Sequence, residues 1–511
     1  MAHHPARRFD VLLTAQEAYP ALEAEFMRAQ RDIIAGFRVF DPWTTLRSDE
    51  ARRIGKTWFD LIAATLDRGV RIEMILSDFD PVVRPSMHAY AWACLRGLIA
   101  AGDASDHPEL LTARTSMHPA RVGILPRLVL WPRSVKEIRK NLAEVNQRTP
   151  QEKQTYLTRI PYLRPMLKWS GGVLKPRLRP PVLVPVTHHQ KLAVFDEETL
   201  YAGGLDLNER RYDTPDHRQA ARDTWHDTQI LVTGAVAREA AAHLRSFEAV
   251  THGARPQPMD HLLRTISTRR KTPWLFLSPK PAISELAAEH ATQISQSAKL
   301  IYLETQYFRD KTLAGQLARR ARENPDLTMI LILPAAPEEV AFEDSPGPDV
   351  AFGEHLQVKS IEILQKAFGS RLFIGAPAQP RAVAPDGRAT HFGAPIVYLH
   401  AKVSIFDDRS AIVSSANLNG RSLSWDTEVG VQTETADEVR HLKTRCFTHW
   451  LGPDAGPEFF NADTACAAWS QRATENASRP PAQRIGFMLP YLTSPAREQA
   501  YNLPGVPDEM A

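Results

Sequence analysis

The chain has 511 residues, 43% hydrophobic and 24% charged, with a net charge of only +3. This globular composition suits two or three units, and the near-neutral balance argues against a globally basic nucleic-acid binder. Three cysteines, Cys94, Cys446 and Cys466, are too few and odd in number for a disulfide framework, and no paired Cys/His spacing suggests a structural zinc site.

The N-terminal stretch MAHHPARRFDVLLTAQEAYP is basic, but its apolar run is only Val11, Leu12 and Leu13, too short for a secretory signal. No run of about 18 apolar residues follows. A cytoplasmic or peripheral membrane protein is expected, with export by a route lacking a cleaved signal left open. From Ala21 a helix-like stretch, ALEAEFMRAQRDIIAGFRVF, leads into an apolar strand. A second strand candidate, VRIEMILSD, follows near Val70. Such alternation indicates an α/β architecture.

Between about residues 105 and 180 lies a basic insertion. From Arg114 to Arg179 there are 15 Lys/Arg, opposed only by Glu137, Glu144 and Glu152, with Trp131, Tyr156, Tyr162 and Trp169 interleaved. A solvated loop, a membrane-surface contact and a nucleic-acid contact all fit this composition.

Next comes HQKLAVFD, from His189 to Asp196. Six residues later stand Gly203, Gly204, Leu205 and Asp206, and then Asp227 in WHDTQILV. The same series returns. A helical stretch from Glu285 leads into a strand, LTMILILPA follows near Leu327, and HAKVSIFD runs from His400 to Asp407. Ser414, Ser415, Ala416 and Asn417 follow, then Glu428. His-x-Lys-x4-Asp arises by chance about once in ten thousand positions, so two copies with matching surroundings mark a duplication. The halves are placed at 9–252 and 275–452. The Pro- and Ala-rich stretch 453–511 is read as an irregular tail.

In a strand, residues i and i+2 share a face, so His189 projects with Lys191 and His400 with Lys402. Asp196 and Asp407 complete each motif and are counted with its catalytic residues, but their odd offset of seven points away from the histidines and predicts a structural place at a turn. Two histidines and two lysines suit a phosphate group. The lysines neutralise non-bridging oxygens, one imidazole attacks phosphorus, and the other acts as general acid and then base. Each imidazole needs an acceptor at its second nitrogen, and Asp227 and Glu428 are the candidates.

These blocks resemble the phospholipase D superfamily, defined by paired HxKxxxxD motifs. THHQKLAVFD with YAGGLDLNERRYDTPDH, WHDTQILVTG, IYLETQYF and YLHAKVSIFDDRSAIVSSANLNGRSLSWDTEVGV are similar to the phosphatidylcholine-cleaving group. The resemblance implies two α/β sandwich halves related by a pseudo-twofold axis, with the site at their interface. It also implies metal-independent cleavage of a phosphodiester through a phosphohistidine, with no cofactor. By the same resemblance His189 is the nucleophile and His400 the general acid and base. Lys191, Lys402, Asn417 and Ser415 bind phosphate, and Asp227 and Glu428 stand behind the histidines. Two positions depart from the pattern: Ser414-Ser415 replaces the usual Gly-Ser, and Asp206 stands where many members have Asn. A carboxylate there would repel phosphate, so Asp206 is not assigned as a ligand.

The expected reaction is hydrolysis of a glycerophospholipid to phosphatidate and a free headgroup alcohol, with the basic insertion meeting the membrane. No nucleic-acid partner is expected, and one chain suffices for the site. Alternatives are a transphosphatidylase of cardiolipin synthase type, a nuclease of the same superfamily, and a non-catalytic scaffold.

Overall fold

A computed structural model describes residues 7–272, 274–343 and 347–510. The first six residues, part of the basic N-terminal stretch, lie outside the described residues.

The apolar runs of the first half become strands β1 (Phe9–Leu13), β2 (Asp32–Phe37), β3 (Arg71–Ser77) and β4 (Leu111–Ser116). A separate hairpin, β5 (Leu167–Ser170) and β6 (Val173–Pro176), precedes β7 (Leu192–Phe195), β8 (Thr199–Gly203) and β9 (Thr228–Thr233). The second half contributes β10 (Leu262–Thr268), β11 (Lys280–Ser284), β12 (Leu300–Glu304), β13 (Thr328–Ile332) and β14 (Leu372–Pro377). A two-residue hairpin, β15 (Thr390–His391) and β16 (Ala394–Pro395), is followed by β17 (Val403–Phe406), β18 (Ser410–Ser414), β19 (Glu428–Thr433) and β20 (Met488–Pro490).

One sheet runs β1-β9-β8-β7-β2-β3-β4. The other runs β11-β10-β19-β18-β17-β12-β13-β14-β20. Removing its edge strands β11 and β20 leaves the same order twice. Pairing directions repeat too: β2-β3-β4 and β12-β13-β14 are parallel, while β7 and β17 join β2 and β12 antiparallel. The duplication in sequence is therefore a duplication of fold, α/β in class.

The central strands LAVF and VSIF are buried at every residue, because each is covered on both faces. Leu192 and Val194 point into a shared core between the halves, together with Tyr302, Val403 and Ile405. The helices Ala235–Thr251 and Ala436–Leu451 supply Leu244, Phe247, Leu442 and Trp450 to this layer. Ala193 and Phe195 face the outer helical layer of the first half, and Phe406 faces that of the second. The three cysteines are free and buried. Among the described residues, no helix is long and apolar enough to cross a membrane.

Three boundaries differ from the sequence reading. Leu111–Ser116, assigned to the insertion, pairs with β3 as the outer strand of the first sheet; its mostly half-buried, partly polar residues hide it beside the basic run. The second sheet begins at Leu262 rather than near 275, because β10 pairs with β19. The stretch after Leu451 is not irregular: the helix Ala465–Ser478 buries Cys466 and Trp469 in the shared core, and β20 pairs with β14.

The insertion is a folded body rather than a loop. The helices Ile124–Val145 and Pro150–Arg159 and the β5-β6 hairpin enclose their own core, including Ile138, Leu142, Leu157, Leu163 and Leu174. Thr149 and Glu152 form a capping box at the second helix, which satisfies otherwise orphaned N–H groups.

Candidate active site

The two HxK segments run as extended leads into β7 and β17. Each is held by the acid-bearing segment of the other half. His189 N donates to Thr427 O at 2.9 Å and Thr427 N donates to Thr187 O at 3.1 Å. Symmetrically, His400 N donates to His226 O at 2.7 Å and His226 N to Tyr398 O at 2.8 Å. These parallel bridges bring Glu428 beside His189 and Asp227 beside His400.

Nδ1 of His400 lies 2.6 Å from Asp227 Oδ2. Nδ1 of His189 lies 3.1 Å from Glu428 Oε2. With Nδ1–H donating to a carboxylate, a neutral imidazole keeps its lone pair on Nε2. The sequence reading named both acids; the structure adds that each crosses to the opposite half.

Gly204 and Ser415 stand at matching positions behind the acids. A Cβ on Gly204 would lie 2.2 Å from Oδ1 of Asp227, so only glycine leaves room for that carboxylate. At Ser415 the hydroxyl donates to Glu428 Oε2 at 2.5 Å and accepts from Val429 N at 3.1 Å. This corrects the expectation that Ser415 binds phosphate: its oxygen is fully buried and engaged in holding the acid. On the other side, Thr228 N donates to Asp227 Oδ1 at 3.0 Å and Trp225 Nε1 to its Oδ2 at 3.3 Å. The Trp225 ring also packs on His400, with centroids 4.6 Å apart.

Lys191 and Lys402 are buried, and each ammonium donates to the carbonyl of its own motif's histidine. Two further N–H donors on each remain for an incoming oxygen. Asn417 Nδ2 reaches Gln306 Oε1 at 3.3 Å, while its Oδ1 has no partner. Its counterpart Asp206 accepts from Val39 N at 2.9 Å and is a counter-charge for both lysines.

Asp196 and Asp407 lie elsewhere, which corrects their inclusion with the catalytic groups. Each sits in the turn after its strand with left-handed φ, 54° and 56°. Asp196 accepts from the backbone N–H groups of Gln30, Arg31 and Asp32 at 2.7–3.0 Å. Asp407 does the same for Ala298, Lys299 and Leu300 at 2.8–3.0 Å. They fasten the motif hairpin to the start of the neighbouring strand, as the odd offset predicts. Burial alone would raise the Asp196 carboxyl, but the three backbone donors outweigh it and lower it.

Burial, then neighbouring cations, holds both imidazoles well below the usual histidine range: Lys191 and Arg38 act on His189, Lys402 and Lys191 on His400. Burial pushes Lys402 down to about 7 against the pull of Asp227. It pushes Glu428 up to about 8 and Asp227 up to about 6, against the pull of the lysines. A buried set of cations over neutral imidazoles is suited to an anion, whose charge would stabilise the protonated lysines. Arg38, Arg211 and Arg421 add to this field. Sequence reasoning missed them, because a lone arginine beside a strand or turn has no spacing that marks it. The side chain of His189 is 13% exposed and that of His400 3%, so His189 is the more open of the pair.

Residues 291–450 match a family described as "Cardiolipin synthase, PLD-like domain". Phospholipase D1 of Schizosaccharomyces pombe is 24% identical over 382 residues, covering 52% of this chain and 26% of that protein. Phospholipase D alpha 4 of Arabidopsis thaliana is 22% identical over 372 residues, covering 51% and 48%. The matches thus span from a fifth to about half of the length of the first relatives. Among solved structures, the phosphatidylserine synthase of Haemophilus influenzae Rd KW20 superposes with a TM-score of 0.49 at 12% identity, over 96% of this chain and 91% of that one. Two HxKxxxxD motifs on a duplicated α/β fold, the family match over residues 291–450 and the phospholipase D relatives together support a likeness to the phospholipase D superfamily.

Proposed function

We propose that this chain is a phospholipase D that hydrolyses the distal phosphodiester of a glycerophospholipid to phosphatidate and a free headgroup alcohol. The observation that carries the reading is the pair of histidines, each with Nδ1 anchored to a carboxylate of the opposite half and each beside a buried lysine.

The chemistry follows from those groups. Nε2 of His189 attacks phosphorus while Lys191 and Lys402 take the non-bridging oxygens. The P–O bond to the headgroup breaks, and His400, whose protonated form is favoured once the phosphate anion is bound beside it, gives its proton to the departing alkoxide. Nε2 of His400 then removes a proton from water, whose oxygen attacks the phosphohistidine. The P–N bond breaks, and phosphatidate and free His189 result. Glu428 and Asp227 stabilise the imidazolium forms in turn. No metal takes part in this scheme.

The lipid substrate class is supported by one face of the insertion. Leu125, Leu128 and Val129 on the helix Ile124–Val145 are exposed, Val129 by 79%. Beside them the loop after β10 exposes Trp274 by 60% and Leu275 by 66%, fastened by Leu125 N donating to Trp274 O at 3.0 Å. Arg133, Lys136, Arg139 and Lys140 are exposed farther along the same helix. An apolar tip backed by cations complements an anionic bilayer, where each nearby Lys or Arg contributes about 1 kcal/mol.

The test is incubation with phosphatidylcholine, phosphatidylethanolamine and phosphatidylglycerol liposomes in the presence of chelator, with phosphatidate and headgroups quantified. Phosphatidate as the main product supports the reading. Nucleic-acid cleavage without phosphatidate would overturn it. Added ethanol separates hydrolysis from transfer, because a transphosphatidylase diverts the intermediate to phosphatidylethanol.

A further inference from the structure

Three histidines outside the catalytic pair meet where the halves join. His217 lies in the loop after β8, His226 directly precedes Asp227, and His449 lies in the last turn of the helix Ala436–Leu451. Their ligating atoms fall within 4.8 Å of one another. Nε2 of His217 and Nε2 of His449 are 3.1 Å apart. Oε2 of Glu304 at the end of β12 lies 3.8 Å from His226 Nε2, beside the three histidines but outside their 4.8 Å cluster. A tetrahedral zinc ion with ligand bonds of about 2.0–2.1 Å sets neighbouring donor atoms about 3.4 Å apart, close to the 3.1 Å between His217 and His449.

Hydrogen bonding points to a ligand as well. The side chains of His226 and Glu304 are fully buried, yet both ring nitrogens of His226 and Oε2 of Glu304 have no partner. Buried polar atoms left unpaired are costly and rare. The remaining atoms of the cluster are fixed from behind. Asp213 Oδ2 lies 2.6 Å from His217 Nδ1, which turns Nε2 inward as in carboxylate–histidine–metal arrangements. Glu304 Oε1 accepts from Trp450 Nε1 at 2.8 Å and from the Tyr302 hydroxyl, leaving Oε2 free. A simple hydrogen bond between His217 and His449 would explain that contact but would still leave His226 and Glu304 unpaired.

We propose that His217, His226 and His449 bind one zinc-class divalent metal ion, with Glu304 next to His226 completing the set by a side-chain shift. With Glu304 as the fourth donor the site is closed, which would be the pattern of a structural rather than a catalytic metal. It would join a loop and the segment before β9 in the first half to a strand and helix of the second. Its backbone neighbour is His400, whose N–H donates to His226 O at 2.7 Å. The ion thereby braces the segment carrying His400 and Asp227 without touching the phosphate. This proposal is independent of the lipid reading and compatible with catalysis that uses no metal.

The test uses the full chain, without a polyhistidine tag, purified from zinc-supplemented culture. Elemental analysis is expected to find one zinc per chain that survives dialysis. Removal by a strong chelator should lower Tm by several degrees, and added zinc should restore it. Cobalt(II) reconstitution should give the intense visible bands of a tetrahedral site. His449→Gln should lose the metal, whereas His252→Gln, an exposed histidine, should keep it. Should His449→Gln fail to fold, the wild-type metal content and cobalt spectrum still decide. No stoichiometric metal, a Tm indifferent to zinc, or full metal retention in a folded His449→Gln would overturn the proposal.

Discussion

His400 and Asp227 are 173 residues apart and belong to opposite halves, yet Nδ1 and Oδ2 sit 2.6 Å from one another. The same crossing joins His189 to Glu428. Neither half therefore holds a complete site. Asp227→Asn leaves the shape but removes the charge that fixes and stabilises the imidazolium. In a comparable triad that change costs about 10⁴-fold, and a loss of about 10³–10⁴-fold in kcat on a soluble chromogenic phosphodiester is expected here. An unchanged kcat with intact circular dichroism would contradict the assigned role.

Gly204 and Ser415 predict opposite sensitivities. Gly204→Ala puts a methyl where Oδ1 of Asp227 now lies, so it should lose activity nearly as fully as Asp227→Asn and also lower Tm. Ser415→Ala removes one donor to Glu428 and should reduce kcat by about tenfold, since leaving a buried polar atom without its partner costs about 1–3 kcal/mol. Kinetics and thermal melts on both variants check this.

Asp196 separates structural from catalytic roles within the motif. Asp196→Ala should destabilise the fold by about 1–2 kcal/mol, through lost backbone bonds and a strained left-handed position, with kcat per folded molecule retained. Denaturant titration alongside kinetics reads both. A loss of kcat in fully folded protein would return Asp196 to the catalytic set.

Lys402 sets a pH dependence of binding. Its free-state value is pushed down to about 7 by burial, and a bound anion favours its protonated form. Below pH 7 the lysine is already charged and no proton is needed. Above pH 7 binding must take up a proton, so affinity should fall, approaching tenfold per pH unit. A dialkyl phosphate stays monoanionic throughout, which makes it the suitable probe. Calorimetry should show this slope with proton uptake; equal affinity from pH 6 to pH 9 would contradict it.

Much of this was legible in the amino acids. The two motifs, the helix–strand alternation and the turn-end place of Asp196 and Asp407 follow from periodicity and spacing. The crossing of the acids did not, because spacing along a chain is silent on which half a strand end faces. Ser415 matched a pattern by type, while its role depends on the direction of one hydroxyl. The strand Leu111–Ser116 was masked by the basic run it opens. His217, His226 and His449 share no local spacing, and only the docking of the halves brings them together.

The central claim is a two-histidine relay in which His189 carries the phosphoryl group. It is tested most directly with a phosphodiester bearing a p-nitrophenyl leaving group, which departs without an acid. His400→Ala should release one equivalent of nitrophenolate in a burst and then stall, with the phosphoryl adduct found on the His189 peptide by mass spectrometry. His189→Ala should give no burst. No burst in either folded variant, or an adduct on any other residue, would contradict the account.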